Sequence, residues 1–370
     1  MYLMLKDIEV LYFNLEEFII KPLRDELLPL CLRGKTYSNS NMKDILNSVQ
    51  LVKSYLSRRV LSLSRTNAKQ IYTLFQIPQL DDIDTRVKIC IHCKGVSIQD
   101  SYWIKEDNST EKFSDVNIRK NKFTEIVDIA LNGVNPSVTV NSICPELTTH
   151  GIFRKAWIRQ DGDLYLLKSD KHSQNINTRM EVLASKILGC FDNKIYCIEY
   201  TGRLRNTIEG KLYVNKCRNF VDEKYSFVEA WEIIEYCKTI GQDFVDYLGY
   251  SKEAASIGVL DFILSNTDRH TQNYGFMMDN NTGKIVKLAP LFDFNCALIS
   301  DVFDKNVSDT LSQMFNNDMT LRQVADFYRQ YHKLVLDKNK FNNLKNNNKD
   351  YSYIFDKVLQ RCDYIGVERR

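Results

Sequence analysis

The sequence has no uncharged apolar run approaching 18 residues, the minimum expected of a transmembrane helix. The first ten residues, MYLMLKDIEV, contain Lys6, Asp7 and Glu9 where a signal peptide would need an apolar stretch. Both absences argue against a membrane protein and against secretion. They predict a cytoplasmic protein with no membrane partner.

The sequence also lacks an excess of charge of either sign. It has 50 Lys and Arg residues against 47 Asp and Glu residues, which gives a net charge of +3. So small a charge supplies no strong field to attract nucleic acid or an anionic membrane, so nucleic acid is not an expected partner. The one basic cluster near the N-terminus, Arg58, Arg59 and Arg65, is interpreted as a solvated helix face.

The cysteines lack the spacing of a disulfide framework or a complete zinc site. There are ten, mostly inside apolar stretches, which is typical of buried free thiols in a reducing compartment. Cys90-Ile-His-Cys93 resembles half of a zinc knuckle, but no second ligand pair follows at a suitable spacing. We therefore expect ordinary core cysteines and no disulfides.

A chain of 370 residues is too long for one ordinary core, and its 44% hydrophobic residues are enough to bury several packed units. Residues 1–135 are predicted to form an accessory domain, with a strand in 1–13 and two helices in 43–75. The turn-rich sequence from Asn132 to Pro136 indicates a linker. The main boundary is placed between 133 and 147.

The pattern after the linker changes to short strands and then to helices. Two apolar runs, KAWIR and LYLLK, flank Asp161-Gly162, which predicts a β-hairpin. Further helices are predicted at 177–188, 227–240, 251–265 and 320–335, strands at 194–199 and 211–215, and an Asn/Lys-rich surface loop at 338–349. This order predicts an α+β fold with two lobes, a β-rich lobe at 136–225 and a helical lobe at 226–370.

Four residue types needed for phosphoryl transfer from ATP occur in a consistent order. The reaction needs an amine for the phosphates, a partner that aims the amine, a carboxylate beside the acceptor hydroxyl, and oxygen ligands for Mg²⁺. Lys168 ends the second strand of the predicted hairpin, where it would carry an ammonium group into a cleft. Glu181 follows thirteen residues later, one turn into a helix, where it can pair with Lys168.

The remaining groups occur in two short segments. Asp268 and Asn273 lie five residues apart in the polar stretch that follows the apolar helix VLDFIL, so a general base and an amide ligand can point into one space. Asp293 lies twenty residues after Asn273, held between apolar residues in LFDFN. We interpret Asp293 as the main Mg²⁺ ligand.

The motif N-T-D-R-H-x-x-N-Y-G followed by L-x-P-L-F-D-F resembles the catalytic and metal-binding loops of HipA-like serine/threonine kinases. The resemblance extends over about residues 147–300. It implies a protein-kinase-like fold, ATP and Mg²⁺ as cofactors, and a Ser or Thr hydroxyl of an unknown protein as acceptor. By this resemblance Asp268 would be the catalytic base and Lys168 would contact ATP. Asn273 and Asp293 would bind Mg²⁺.

The family also has a phosphate-binding loop before the hairpin, and residues 147–155 occupy that position. The resemblance implies ATP contacts by Thr149, Gly151 and Lys155, although no G-x-G-x-x-G is present. It also implies autophosphorylation in this loop, for which Thr148 and Thr149 offer hydroxyl groups.

Three residues after the strand LYVN stand where a kinase hinge would meet adenine through backbone groups. These are Lys216, Cys217 and Arg218. His270 resembles the loop histidine of the family and is assigned to the ATP-binding set, with the main task of bracing the loop by hydrogen bonds.

Other interpretations stay open on the sequence. There is no His-Arg-Asp loop and no Asp-Phe-Gly, since Asn295 replaces the glycine, which argues against a conventional eukaryotic-type protein kinase. Asp-Arg-His-x-x-Asn is also typical of phosphoinositide-kinase-like loops, so a lipid or small-molecule acceptor is an alternative. A regulatory pseudokinase that only binds ATP is another. Residues 1–130 differ from the N-terminal domain of toxin-type HipA, so an antitoxin or regulatory partner is left open.

Overall fold

The computed structural model describes residues 1–38, 40–137, 144–149, 151–170, 175–192, 196–208, 210–248, 251–306, 308–315, 319–329 and 334–370. The predicted boundary at 133–147 and the predicted strand at 194–199 lie partly outside these ranges. The architecture is mixed α+β with several antiparallel sheets, as the order of the predicted elements implied.

The N-terminal region pairs one four-stranded antiparallel sheet with helices. Its elements are β1 (Tyr2–Leu5), β2 (Ile8–Asn14), β3 (Ile19–Pro22), α1 (Met42–Arg58), α2 (Ala68–Leu74), α3 (Ile83–His92), β4 (Tyr102–Lys105), α4 (Phe113–Val116) and α5 (Val127–Asn132). The strand order is β3-β2-β1-β4. The side chain of Asn41 caps α1 by accepting a hydrogen bond from the Asp44 amide at 3.0 Å, which defines where the first predicted helix begins.

The second part of the chain contains the predicted hairpin. Its elements are β5 (Arg154–Gln160), β6 (Asp163–Ser169), α6 (Ile176–Leu188), β7 (Phe191–Asp192), β8 (Thr201–Thr207), β9 (Gly210–Arg218) and β10 (Tyr225–Glu229). Asp161 and Gly162 both have positive φ at the tip, as the turn chemistry predicted. The sheet order is β5-β6-β9-β8. In this register Lys155 lies opposite Lys168, so both lysines leave the sheet on the same face.

The third part is mainly helical. Its elements are α7 (Ala230–Ile240), α8 (Phe244–Leu248), α9 (Ser251–Ile263), β11 (Gly275–Asp279), β12 (Ile285–Leu288), α10 (Ile299–Val302), α11 (Leu321–Tyr328), β13 (Val335–Leu336), α12 (Lys338–Asn346), α13 (Ser352–Ile365) and β14 (Glu368–Arg369). β10, β11 and β12 form one antiparallel sheet, and β7, β13 and β14 form another.

The helix predicted at 320–335 is shorter than expected: α11 ends at Tyr328, and Val335 belongs to strand β13, where it pairs with β7 and β14. Two further assignments made from the sequence are wrong. The Asn/Lys-rich run at 338–349 is largely helix α12, because Asp337 caps it and Phe341 is buried in the core. The segment at 227–240 begins as strand β10 rather than as helix, because its first residues pair with β11. In both cases a contact made by tertiary structure outweighs the local composition.

All ten cysteines carry free thiols. Cys90, on α3, and Cys93, directly after it, are both buried. Within the described parts of the chain, no helix is both long and apolar enough to cross a bilayer.

Gly275, the glycine of the N-Y-G motif, begins β11 where this strand meets β10. It pairs with Glu229, and a Cβ atom there would overlap the carbonyl oxygen of Val228 and lie 2.8 Å from the ring of Phe227. Only glycine lets the two strands approach so closely. The glycine therefore fixes how the preceding loop enters the sheet.

We expect Gly275→Ala to lower the free energy of unfolding by about 3 kcal/mol, because the new methyl group meets backbone atoms that cannot move aside. Gly366→Ala is the control: nothing lies within 4 Å of the new methyl group, so its cost comes only from the positive φ of 75° at that residue. That change should cost about 1 kcal/mol. Urea unfolding of both variants measures the difference, and equal losses would contradict the packing argument.

Candidate active site

Lys168 lies at the centre of the candidate site. Its ammonium nitrogen donates to Oε1 of Glu181 at 2.7 Å and to Oδ1 of Asp293 at 2.8 Å, and the residue is only 4% exposed. β6 supplies the lysine, α6 supplies the glutamate, and the segment after β12 supplies the aspartate. The pairing of Lys168 with Glu181 that the thirteen-residue spacing predicts is confirmed, and Asp293 joins it.

Glu181 accepts hydrogen bonds from two further groups. Oε2 accepts a hydrogen bond from the side-chain amide of Asn215 at 2.7 Å, and Oε1 accepts one from the backbone N–H of Phe294 at 3.2 Å. The carboxylate is fully buried. It is therefore a fixed anchor that sets the direction of the Lys168 ammonium.

Asp293 adopts an unusual backbone conformation with φ of 60°. A non-glycine residue in this region costs roughly 1–3 kcal/mol, so the surroundings must impose it. The Asp293 N–H donates to the hydroxyl oxygen of Tyr200 at 3.2 Å, and the next N–H donates to Glu181. The carboxylate consequently faces Lys168 on one side and lies 3.9 Å from the Lys155 ammonium on the other.

The charges in this cluster are strongly coupled. Burial alone would lower the pKa of Lys168, but the carboxylates of Asp293 and Glu181 outweigh burial and raise it well above its usual value. Burial alone would raise the pKa of Asp293, whereas Lys168 and Lys155 lower it below the ordinary range. Burial and the neighbouring Lys168 lower the pKa of Lys155. At neutral pH Asp293 is ionised and Lys168 is a cation.

The loop after α9 is braced by Arg269, which the sequence reasoning did not select. This arginine is 1% exposed and forms an ion pair with Asp261 at 3.0 Å. It also donates to the carbonyl oxygens of Asn273 at 3.0 Å and Phe292 at 2.8 Å. Arg269 thus connects α9, the loop that contains Asp268 and Asn273, and the segment that contains Asp293. The sequence offered one signal for this role: Arg269 follows Asp268 directly and comes after an apolar helix that contains a single aspartate, Asp261.

His270 has a smaller bracing role than predicted. Its Nδ1 accepts a hydrogen bond from the Gln272 N–H at 3.2 Å, and the side chain lies on the cavity wall. The main bracing that was expected of His270 is made by Arg269.

Asp268 and Asn273 are brought together as their spacing predicted. The side-chain N–H of Asn273 donates to the backbone carbonyl of Asp268, while its Oδ1 accepts no hydrogen bond from the described residues. Burial raises the pKa of Asp268, the charge of Asp293 raises it further, and His270 lowers it. The thiol of Cys296 lies 3.8 Å from the Asp268 carboxylate.

These groups border one cavity of about 540 Å³. The predicted site residues on its wall are Thr149, Gly151, Lys155, Lys168, Cys217, Arg218, His270, Asn273 and Asp293. Glu181 and Asp268 do not line the cavity: Glu181 is fully buried behind Lys168, and Asp268 is half-buried next to Asn273, which lines it. The side chain of Lys216 lies outside, where it covers the ring of Tyr165 at 4.2 Å and donates to Gln160 at 3.1 Å. The Lys216 side chain therefore does not reach the cavity, and the adenine contact predicted for its backbone stays a prediction.

One end of the cavity is apolar and aromatic. Phe292 packs against Phe220 and Phe227 with ring centroids 5.6 and 5.3 Å apart, and Leu166 and Ile198 add aliphatic surface. Phe294 is buried in the core, whereas Phe292 reaches the cavity wall. A flat apolar ring system fits this end, and charged groups fit the end at Lys168.

The residues present suit Mg²⁺ together with a phosphate ligand. The described residues hold no cluster of three or more His, Cys, Asp or Glu side chains placed to bind a metal ion. Mg²⁺ needs only one or two protein oxygen ligands when phosphates and water complete its shell. The unpartnered Oδ1 of Asn273 and the ionised carboxylate of Asp293 line the same cavity and supply such oxygens.

The basic cluster near the N-terminus is not a solvated face. Arg59 is buried and forms paired hydrogen bonds with Asp100 at 2.7 and 2.9 Å, and Arg65 is buried beneath the loop at 147–155. Only Arg58 is exposed, with its guanidinium 4.3 Å from the ring centre of Trp231. The prediction is therefore wrong for two of the three arginines, because they bond to groups distant in sequence.

No family model matches the sequence, and no curated protein matches it. HipA of Shewanella oneidensis, solved with HipB and operator DNA, aligns over 99% of this chain and 97% of its own, with a TM-score of 0.52 and 10% identity. The chain has the fold of HipA. The resemblance seen in the loop motifs is thus confirmed at the level of the fold. The proinflammatory kinase CtkA of Helicobacter pylori aligns over 56% of this chain and 90% of its own, with a TM-score of 0.40 and 18% identity.

We expect Lys168→Met to lower the free energy of unfolding by about 3–5 kcal/mol at neutral pH, because two buried carboxylates lose their cation. Lys168 lowers the folded-state pKa of Asp293, and the stability that this shift provides is lost as the pH falls, so the deficit of the variant should shrink at acidic pH. Adding Glu181→Gln should cost less than the sum of the single changes.

Lys357→Met is the matched control for this cycle, since Lys357 pairs with the exposed Asp304 at 2.5 Å. It should change stability by less than about 1 kcal/mol. Urea unfolding at several pH values measures all four variants. Additive losses in the double variant would show that Lys168 and Glu181 are not coupled.

Proposed function

We propose that the protein is a Mg²⁺- and ATP-dependent kinase that transfers the γ-phosphate of ATP to a Ser or Thr hydroxyl of a protein. The observation that carries this proposal is the contact of Lys168 with both Glu181 and Asp293 on the wall of a cavity that also contains Asn273. These side chains come from segments far apart in sequence. An inert fold has no need to bury them together.

The proposal assigns the phosphate end of the cavity to the two facing lysines. Lys168, aimed by Glu181, would hold the phosphates as a fixed point charge, and Lys155 would add a second. The low pKa of Asp293 keeps its carboxylate ionised for Mg²⁺, with Asn273 Oδ1 as the second protein ligand. The bound ion would neutralise charge on the transferred group.

Asp268 is the proposed general base. Its carboxylate is partly buried and close enough to Asp293 for that charge to raise its pKa. A raised pKa makes a carboxylate a better proton acceptor for a hydroxyl group near neutral pH. The Asn273 side chain holds the backbone carbonyl of Asp268, and Arg269 holds the carbonyl of Asn273.

The loop at 147–155 is the proposed phosphate loop. Gly151 has φ of 95°, and a Cβ atom there would overlap the Lys155 ammonium, so glycine leaves room for the loop to approach a ligand. Thr148 is buried, whereas Thr149 lines the cavity. If the loop is autophosphorylated, Thr149 is the better-placed hydroxyl.

The wider setting is also part of the proposal. We place the accessory domain at 1–135, the strand-rich lobe at 136–225 and the helical lobe at 226–370, in the cytoplasm. The Shewanella HipA structure contains HipB as a protein partner, and by analogy we propose a regulatory protein partner for this chain. The net charge of +3 does not favour nucleic acid.

We expect Asp268→Asn to reduce phosphoryl transfer by about a hundred- to ten-thousandfold while ATP binding persists, because the proton acceptor is lost but the phosphate contacts remain. Asp293→Asn should abolish Mg²⁺-dependent ATP binding, since its main oxygen ligand loses its charge. Removal of Mg²⁺ with EDTA should stop transfer in the unaltered protein. Titration calorimetry and γ-labelled ATP measure the two steps.

Lys216→Ala is the control, because this lysine is on the strand beside Cys217 but outside the cavity. It should leave both steps unchanged. Labelled ATP added to a lysate, with protein and lipid fractions separated, identifies the acceptor class. Label in lipid alone, or persistent transfer by Asp268→Asn, would overturn the proposed reaction.

The activity should fall at acidic pH with an apparent pKa above the ordinary aspartate value of about 3.9, since Asp268 must be deprotonated and its pKa is raised. His270 lowers that pKa, so His270→Gln should move the acid limb of the kcat profile to higher pH. His92→Gln, on α3, is the control and should leave the profile in place. A shift to lower pH, or none, would show that Asp268 does not set the limb.

A further inference from the structure

The N-terminal region reaches the cavity through the segment between α1 and α2. The Leu61 N–H donates to the Leu147 carbonyl at 2.7 Å, and the Thr66 N–H donates to the Ile152 carbonyl at 3.1 Å. These two bonds meet the proposed phosphate loop near its beginning and near its middle. Ser62 and Ser64, between them, lie on the cavity wall itself.

Arg65 makes the most extensive contact between this segment and the loop. The residue is 3% exposed, and Nη1 donates to the carbonyls of Thr149 at 3.2 Å and Glu146 at 3.5 Å. Nη2 donates to the carbonyl of Lys155. One rigid guanidinium thus connects the beginning of the loop, at Glu146 and Thr149, with its end at Lys155.

The atoms that Arg65 holds are next to groups proposed to bind phosphate. Thr149 is on the cavity wall, with its hydroxyl accepting a hydrogen bond from the indole of Trp157 at 2.8 Å. Lys155 carries the ammonium that lies 3.9 Å from Asp293. A buried carbonyl left without a donor is unfavourable, so removal of Arg65 favours loop conformations that turn these carbonyls towards water.

We propose that Arg65 is a positioning residue for nucleotide binding: its guanidinium, supplied by the N-terminal region, holds the described parts of the loop, 147–149 and 151–155, in the conformation that lines the cavity. The proposal rests on the proposed function, because it assigns the loop to ATP. It makes the N-terminal region part of the nucleotide-binding apparatus. Without Arg65, ATP would have to bind and order the loop at the same time, at the cost of affinity.

A purely structural role for Arg65 is the competing explanation, and Arg33 provides a match for it. Arg33 is also a buried arginine of the N-terminal region, and it donates to the carbonyls of Gly283 and Leu28 at 2.8 Å each. It is not on the cavity wall, and it makes no hydrogen bond to the described residues of the loop, 147–149 and 151–155. Arg33→Gln therefore reproduces the loss of buried hydrogen bonds without touching the loop.

The experiment compares the full chain with Arg65→Gln, Arg65→Lys and Arg33→Gln. Titration calorimetry gives the Kd for Mg²⁺-ATP, and hydrogen exchange measures peptides covering 144–149 and 151–157. We expect Arg65→Gln to weaken ATP binding about tenfold or more, from the loss of charge-assisted hydrogen bonds. Exchange in both peptides should become faster. Arg65→Lys should be intermediate, because an ammonium group cannot bridge all three carbonyls.

Chemical rescue separates positioning from general damage. Millimolar guanidinium ion added to Arg65→Ala should restore part of the ATP affinity and slow the exchange of the loop. The same addition should not help Arg33→Ala. If Arg65→Gln does not fold, Arg65→Lys and the rescue of Arg65→Ala still decide the matter.

The inference is overturned if Arg65→Gln and Arg33→Gln have equal Kd values, or if the exchange of the loop is the same with and without Arg65. If the unaltered protein does not bind ATP, the proposed function itself is contradicted. In that case the exchange comparison still tests whether Arg65 holds the loop, since it needs no nucleotide.

Discussion

The ammonium group of Lys168, buried between the carboxylates of Glu181 and Asp293, is the contact on which the rest of the site depends. It joins a strand, a helix and a loop at one point, so their relative placement is fixed by charge pairing as well as by apolar contact. Buried ion pairs are rarely the most stable choice, because well-packed apolar residues of similar volume often do as well or better. A cluster that costs so much desolvation is therefore better explained by chemistry than by stability. The strained backbone of Asp293 supports the same inference, since such strain concentrates at functional sites.

A second buried cation completes the frame. Arg269 pairs with Asp261 and holds the carbonyls of Asn273 and Phe292, so it restrains the loop that carries Asp268 and the segment that carries Asp293. The two cations hold the Asp293 segment at two points: Lys168 bonds to the Asp293 side chain, and Arg269 bonds to the backbone carbonyl of Phe292 just before it. Because each restraint is made by a group that is itself fixed, the acidic and amide oxygens are preorganised before any ligand binds.

The sequence was informative wherever residue identity determines geometry. The turn at Asp161-Gly162 predicts the hairpin and hence the position of Lys168, and the helix that carries Glu181 follows from its apolar periodicity. Helix α12 was missed because asparagine-rich composition favours loops, whereas its buried Phe341 is a tertiary effect. The roles of Arg65 and Arg269 in the site were also missed, but for another reason. Most of their partners are backbone carbonyls, and a carbonyl carries no side-chain identity that a sequence pattern can reveal.

The carbonyl contacts of Arg65 also change how the N-terminal region should be regarded. Its apolar residues belong to the same hydrophobic core as the inner faces of β5, β6 and β9, so it cannot separate from the sheet without exposing that core. Since Arg65 ties the same region to the loop at 147–155, loop conformation and the docking of this region are linked equilibria. A ligand that orders the loop must then stabilise the docked N-terminal region, and a partner that displaces that region must weaken ligand binding by the same factor. Regulation of the site therefore requires no contact with the cavity itself.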